Sequence, residues 1–150
     1  MDIYEELVMQ YIVGQGPHIF VSPQYSIKAD KGEWSCPDFV ALDFRRKVVS
    51  VVEVSSGSDI SGLISKTKDR ENQWFTRLRN QLVANSAVND AWRFRIEAFV
   101  RSDAFDAFSR AFSGSDDVFV HKLEDIAFRW NWKNGEAKDN TSARPGVGSR

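Results

Sequence analysis

The chain has 150 residues, with 20 Lys and Arg against 21 Asp and Glu, and a formal charge of −1. At that length it can bury roughly 70% of its unfolded surface, so a core needs neither metal nor disulfide to hold it. Near-neutral charge excludes a polybasic coating for nucleic acid, and Cys36, His18 and His121 are too few for a disulfide framework or a Cys- or His-rich metal cluster.

Residues 2–13 read as an amphipathic helix, with Ile3, Leu7, Tyr11 and Tyr4, Val8 at i, i+4 spacing and a stop at Gly14-Gln15-Gly16-Pro17. The stretch 18–28 is rich in β-branched and aromatic residues and predicts a strand, with Pro23 at an edge or bulge. Asp30-Lys31-Gly32 is a turn. Strands over 36–44 and 47–55 follow, joined by Arg45-Arg46-Lys47, a connection short enough for an antiparallel hairpin. Ser56-Gly57-Ser58-Asp59 breaks the pattern and offers caps for a helix over 60–86, with Trp74, Leu78 and Leu82 on its apolar stripe. Trp92, Phe94, Ile96, Ala98 and Val100 alternate with charged residues as a strand. Phe105, Phe108 and Phe112 mark a second helix closed by Gly114; strands are expected at 118–120 and 126–132. The segment 136–150 has almost no large apolar residue and is expected to be a disordered tail behind a single domain at 1–135. No apolar run approaches the ~18 residues of a membrane span. Met1-Asp2-Ile3-Tyr4-Glu5-Glu6 lacks the basic start of a signal peptide, so a cytoplasmic protein without membrane contact is expected. The element order implies an α/β domain, bordering on α+β, with a mixed sheet between helices.

The chemistry concentrates in two stretches, Cys36-Pro37-Asp38-Phe39-Val40 and Val51-Val52-Glu53-Val54-Ser55. A carboxylate inside an apolar strand is expensive to bury unpaired. If the two strands form a hairpin, Asp38 and Glu53 converge near one end of it. Their oxygens, with the Val54 carbonyl beside them, suit Mg²⁺ or Mn²⁺. A structural role, with Glu53 paired to an arginine and Asp38 capping a turn, accounts for the same residue types. Basic residues cluster on the long helix at Lys66, Lys68, Arg70, Arg77 and Arg79, with Asp69 and Glu71 between them. A few such side chains suffice for phosphate contacts, although a solvated face has the same look.

The pattern resembles the PD-(D/E)XK nuclease superfamily, which includes restriction endonucleases and archaeal Holliday junction resolvases. Pro37-Asp38 is similar to its first motif, and Glu53-Val54-Ser55 falls where that family has (D/E)-x-K. The resemblance implies a restriction-endonuclease-like αβββαβ core and a metal-dependent cut of phosphodiester bonds, in DNA before RNA. Glu5-Glu6-Leu7-Val8-Met9-Gln10-Tyr11-Ile12 looks like the family's first-helix motif, which makes Glu5 a further metal-facing carboxylate and Glu6 the runner-up. Ser55 departs from the pattern, because a hydroxyl cannot replace an ammonium that orients water and opposes developing charge. Some members carry that lysine on the following helix, where Lys66 and Lys68 stand here. By the same resemblance Gln73 could face the site. Without a working lysine, the same fold would serve as a nucleic-acid or protein binding module. A chain this small could also draw specificity from a homodimer or another protein.

Overall fold

Asp2 starts the first helix, α1 (Ile3–Val13), by accepting the Glu5 N–H at 2.9 Å, and Gly14 closes it. Both caps engage backbone groups that a helix end otherwise leaves unbonded. The computed structural model describes residues 1–130; the segment at 136–150 and the Trp132 end of the last expected strand lie outside them. Val8 and Ile12 of α1 are buried, whereas Ile3 and Tyr4 stay exposed despite their apolar spacing.

Where one strand is expected over 18–28, the chain forms two, β1 (Ile19–Pro23) and β2 (Ile27–Lys28). Pro23 ends the first because it has no N–H to give a ladder. Gln24 then turns through the left-handed region at φ 52°, and β2 leaves the main sheet to pair with β3 (Glu33–Ser35) in a small hairpin. Two strands, β4 (Phe39–Asp43) and β5 (Val48–Ser55), pair antiparallel as their short connection predicts. Asp43 shapes that connection by accepting the N–H groups of Arg45 and Arg46 at 3.0 and 2.9 Å.

The long helix expected over 60–86 is interrupted. It comprises α2 (Ser61–Lys68), a π turn (Glu71–Phe75) and α3 (Thr76–Ala84). In the π turn the Thr76 N–H reaches back to the Glu71 carbonyl, a register that adds one residue to the coil. Trp74, Phe75, Leu78 and Leu82 are buried along it. A strand, β6 (Arg93–Val100), a helix, α4 (Ser102–Ala111), and a strand, β7 (Val118–Lys122), complete the sheet.

The last element corrects the expectation of a strand at 126–132. Leu123–Trp130 is a helix, α5. Leu123 and Ile126, three residues apart, are both buried against α1, and Glu124 and Asp125 favour the positive end of a helix dipole. Glu124 also accepts the Ser102 N–H at 2.9 Å and the Ser102 hydroxyl at 2.9 Å, which ties α5 to the start of α4.

The main sheet runs β1-β4-β5-β6-β7, antiparallel through β5 and parallel from β5 to β7, and is therefore mixed. On one face Val8, Ile12, Phe39, Val52, Phe99 and Leu123 form a core with α1 and α5. On the other, Val49, Val51, Trp74, Phe75, Leu78 and Ile96 form a core with α3. Each such side chain contributes about 1.5–3 kcal/mol on burial, so both faces are anchored. Among the described residues no helix is long and apolar enough to cross a membrane.

Candidate functional site

The β4–β5 ladder sets Phe39 opposite Val52, and both point into the core under α1. Asp38 immediately precedes β4 and Glu53 follows Val52, so both lie at the same end of this ladder, where the charge of Lys66 on α2 reaches them. Neither carboxylate meets an arginine among the described residues. The Asp38 N–H donates to Glu53 Oε2 at 3.0 Å, and the Val54 N–H donates to Asp38 Oδ2 at 2.7 Å. The two side chains are clasped by each other's strands. Asp38 Oδ1 and Glu53 Oε1 accept no hydrogen bond from a described residue and remain available to a ligand.

Electrostatics make this pair uncomfortable. Burial pushes the Glu53 carboxyl up to about 7, and the neighbouring Asp38 charge adds to the rise. Burial also raises Asp38, with the Val54 N–H and the Lys66 charge opposing. Glu5 is raised by burial and then by Asp38 and Asp2, which shows that the first helix brings its carboxylate into the same field. Two carboxylates raised together, with no bonded counter-ion among the described residues, form a candidate site for a cation or a proton.

No family model, curated protein or solved structure matches this chain. Its chemistry is therefore read from the site itself. Among the described residues no cluster of three or more His, Cys, Asp or Glu side chains is gathered to hold an ion unaided. Two adjacent carboxylates still fit Mg²⁺, which keeps several waters and takes only one or two carboxylates from a protein. Asp38 and Glu53 would hold it through their free oxygens, with Glu5 and the Val54 carbonyl at hand.

The remaining candidates divide. Lys66 is the cation whose charge acts on both Asp38 and Glu53. Lys68, exposed at the end of α2, has no such effect on either. Ser55 shares the Glu53 face of β5, two residues on, and offers only its hydroxyl. Arg70 is spent in a forked pair with Asp117 at 2.7 and 2.8 Å, so it is not free for phosphate. Gln73 donates to Ser35 Oγ at 3.3 Å, between the π turn and the small hairpin. Arg77 lies over the Trp34 ring at 4.2 Å. Glu6 is exposed and exerts no resolved effect on the pair.

Two glutamines position the site without any signal in the sequence. Gln24 donates its N–H to the Asp38 carbonyl at 2.8 Å and its side-chain amide to Glu5 Oε1 at 3.5 Å, linking the acidic residue of α1 to the start of β4. Gln81 on α3 accepts the Lys28 N–H at 2.9 Å and donates to the Ser26 carbonyl and the Tyr25 hydroxyl at 3.0 and 3.2 Å. It holds the β2–β3 hairpin against the helix.

Proposed function

We propose that this chain is a metal-dependent nuclease of the PD-(D/E)XK, restriction-endonuclease-like kind, hydrolysing phosphodiester bonds of DNA, with RNA as the alternative substrate. The observation that carries the proposal is the clasped Asp38–Glu53 pair, raised in pKa and within the field of Lys66. The order α1, antiparallel β1-β4-β5, α2–α3, then parallel β6 is compatible with the αβββαβ core that the motifs imply.

Bound Mg²⁺ or Mn²⁺ would supply a Lewis acid that polarises a phosphate oxygen and acidifies a water. Asp38 and Glu53 would bind it and set its place relative to α2. Lys66, on that helix, orients the attacking water and opposes the charge that builds on the phosphate oxygens. Its position on the helix makes up for Ser55 in the strand. Glu5 would add negative charge that favours the cation.

Ser55 also favours a second reading, a binding module on the same fold that cuts nothing. One experiment separates them. Plasmid, single-stranded DNA and RNA are incubated with the chain in Mg²⁺, Mn²⁺ or chelator. A nuclease cleaves only with metal, and both Asp38→Asn and Glu53→Gln abolish cleavage while preserving shape. Cleavage that survives both changes overturns the proposed site. Nucleic-acid binding without cleavage under either metal establishes the binding module instead.

A further inference from the structure

The β2–β3 hairpin carries an exposed indole, Trp34, four residues before Asp38 in the chain. Its Nε1–H donates to the carbonyls of both Asn72 and Gln73 at 3.1 Å, in the π turn. The altered register of a π turn loosens carbonyls from the helical ladder, and the indole takes them. The Arg77 guanidinium lies over the ring at 4.2 Å. With one edge bonded to the helix and a cation over the ring, Trp34 still leaves 45% of its surface to solvent. An aromatic side chain held at its polar edge and left nearly half exposed is not a core residue.

Its surroundings bear on what it meets. Arg70, Arg95 and Arg101 are taken up by Asp117, Glu97 and Asp103, whereas Arg77 has no carboxylate partner among the described residues. Arg77 is therefore a phosphate donor in waiting beside a flat apolar ring. Trp34 precedes Asp38 by four residues of chain, a separation of at most about 14 Å. Gln73, whose carbonyl the indole takes, also donates to Ser35 Oγ at 3.3 Å, which fixes the segment between the ring and Asp38.

We infer that Trp34 and Arg77 form a stacking platform for an unpaired base of a nucleic-acid strand, whose backbone then continues towards Asp38 and Glu53. The inference rests on the nuclease reading and narrows its substrate to single-stranded segments. A duplex hides the faces of its bases, so only an unpaired base can lie on the ring. The near-neutral charge of the chain agrees, because it offers no long basic track for duplex phosphates.

The test uses the full chain carrying Asp38→Asn and Glu53→Gln in chelator, so that nothing is cut, with a labelled oligothymidylate and a blunt DNA hairpin as probes. Binding to oligothymidylate should exceed binding to the hairpin. Trp34→Ala should weaken it about 5- to 150-fold, the range for losing one base–aromatic stack, and Trp34→Phe should restore most of it. Arg77→Ala should weaken binding and reduce its salt dependence. Phe keeps the ring but loses the N–H. If Trp34→Phe binds as poorly as Trp34→Ala, the residue acts only as a pin on the π turn, and the platform is overturned. Equal affinity of parent and Trp34→Ala overturns it too, as does preference for the hairpin. Cleavage by the unsubstituted chain is measured in parallel. Cleavage without any Trp34 effect on binding leaves the nuclease standing and removes the platform. Trp34-dependent binding without cleavage under Mg²⁺ or Mn²⁺ supports the platform and removes the nuclease.

Discussion

Asp38 gives its N–H to Glu53 at 3.0 Å and takes the next N–H of the Glu53 strand, that of Val54, at 2.7 Å. Two carboxylates that repel each other are thus fastened by backbone, with no arginine between them among the described residues. A structural acidic residue in this protein looks different. Glu97 is bonded to Arg95 at 2.9 Å, to Ser50 at 2.9 Å and to His121 at 3.0 Å, and its charge is fully met. The contrast separates a carboxylate that the fold uses from a pair that the fold strains to keep.

The two helix lysines should differ. Lys66→Ala should lower kcat by about 10²–10³, the scale of losing one transition-state electrostatic contact, and Lys68→Ala should leave it near the parent value. Ser55→Lys should add little while Lys66 is present. Metal-dependent cleavage assays of the three variants check this, and equal losses at both lysines would remove Lys66 from its role.

Glu53→Gln should stabilise the metal-free protein. Burial pushes the folded carboxyl up to about 7 from its ordinary value of 4.5, so the fold prefers its neutral form. Its stability contribution is complete below the unfolded pKa and is lost as pH rises through the folded one. In chelator at pH 8 the variant should gain about 2 kcal/mol, a Tm rise of several degrees. At pH 4 the two proteins should melt together. Added Mg²⁺ should raise the Tm of the parent and leave the variant unmoved.

Glu97→Gln should do the opposite. Burial alone would raise this carboxyl, but the His121 hydrogen bond, the Arg95 charge and the Ser50 hydroxyl bring it down to about 2. A depressed carboxylate stabilises the fold above its unfolded pKa and loses that contribution as pH falls through the folded value. The variant should cost about 2–3 kcal/mol at pH 6, and the deficit should close between pH 4.5 and 2. Urea titrations across that window measure it; a deficit independent of pH would contradict the assignment.

Thr67→Val should stabilise the chain. Thr67 is fully buried in α2, and its Oγ1 has no hydrogen-bond partner among the described residues. Replacing an unsatisfied buried hydroxyl with a methyl of the same shape removes a desolvation cost of about 1 kcal/mol. Thermal melts should show a rise of about 2–4 °C. A fall would mean that the hydroxyl is bonded in solution.

The pairing of Asp38 with Glu53 could be foreseen because it is local. A short charged connection, alternation on both sides and a period of two place those residues on one face before any helix is packed. Trp74, Leu78 and Leu82 fall on a buried stripe for a similarly local reason, since a helical period of 3.6 sorts faces without reference to neighbours. Local pattern failed at α5. Phe128, Trp130 and Trp132 alternate like a strand, yet Leu123 and Ile126 dock against α1, and that surface exists only once the sheet has formed. It also could not choose between Lys66 and Lys68, because the choice depends on how α2 is rotated over the β4–β5 ends. Trp34 on the π turn and Gln81 under the small hairpin were invisible for the same reason. Their partners lie 38 to 56 residues away. Hydrophobic period and turn chemistry act over a few residues, and they carry the elements and the clasped acidic pair. The rotation and shift of one packed layer over another are set by side-chain interlocking across the whole chain, and this is what brings the charge of Lys66 rather than Lys68 onto the acidic pair and leaves the indole exposed.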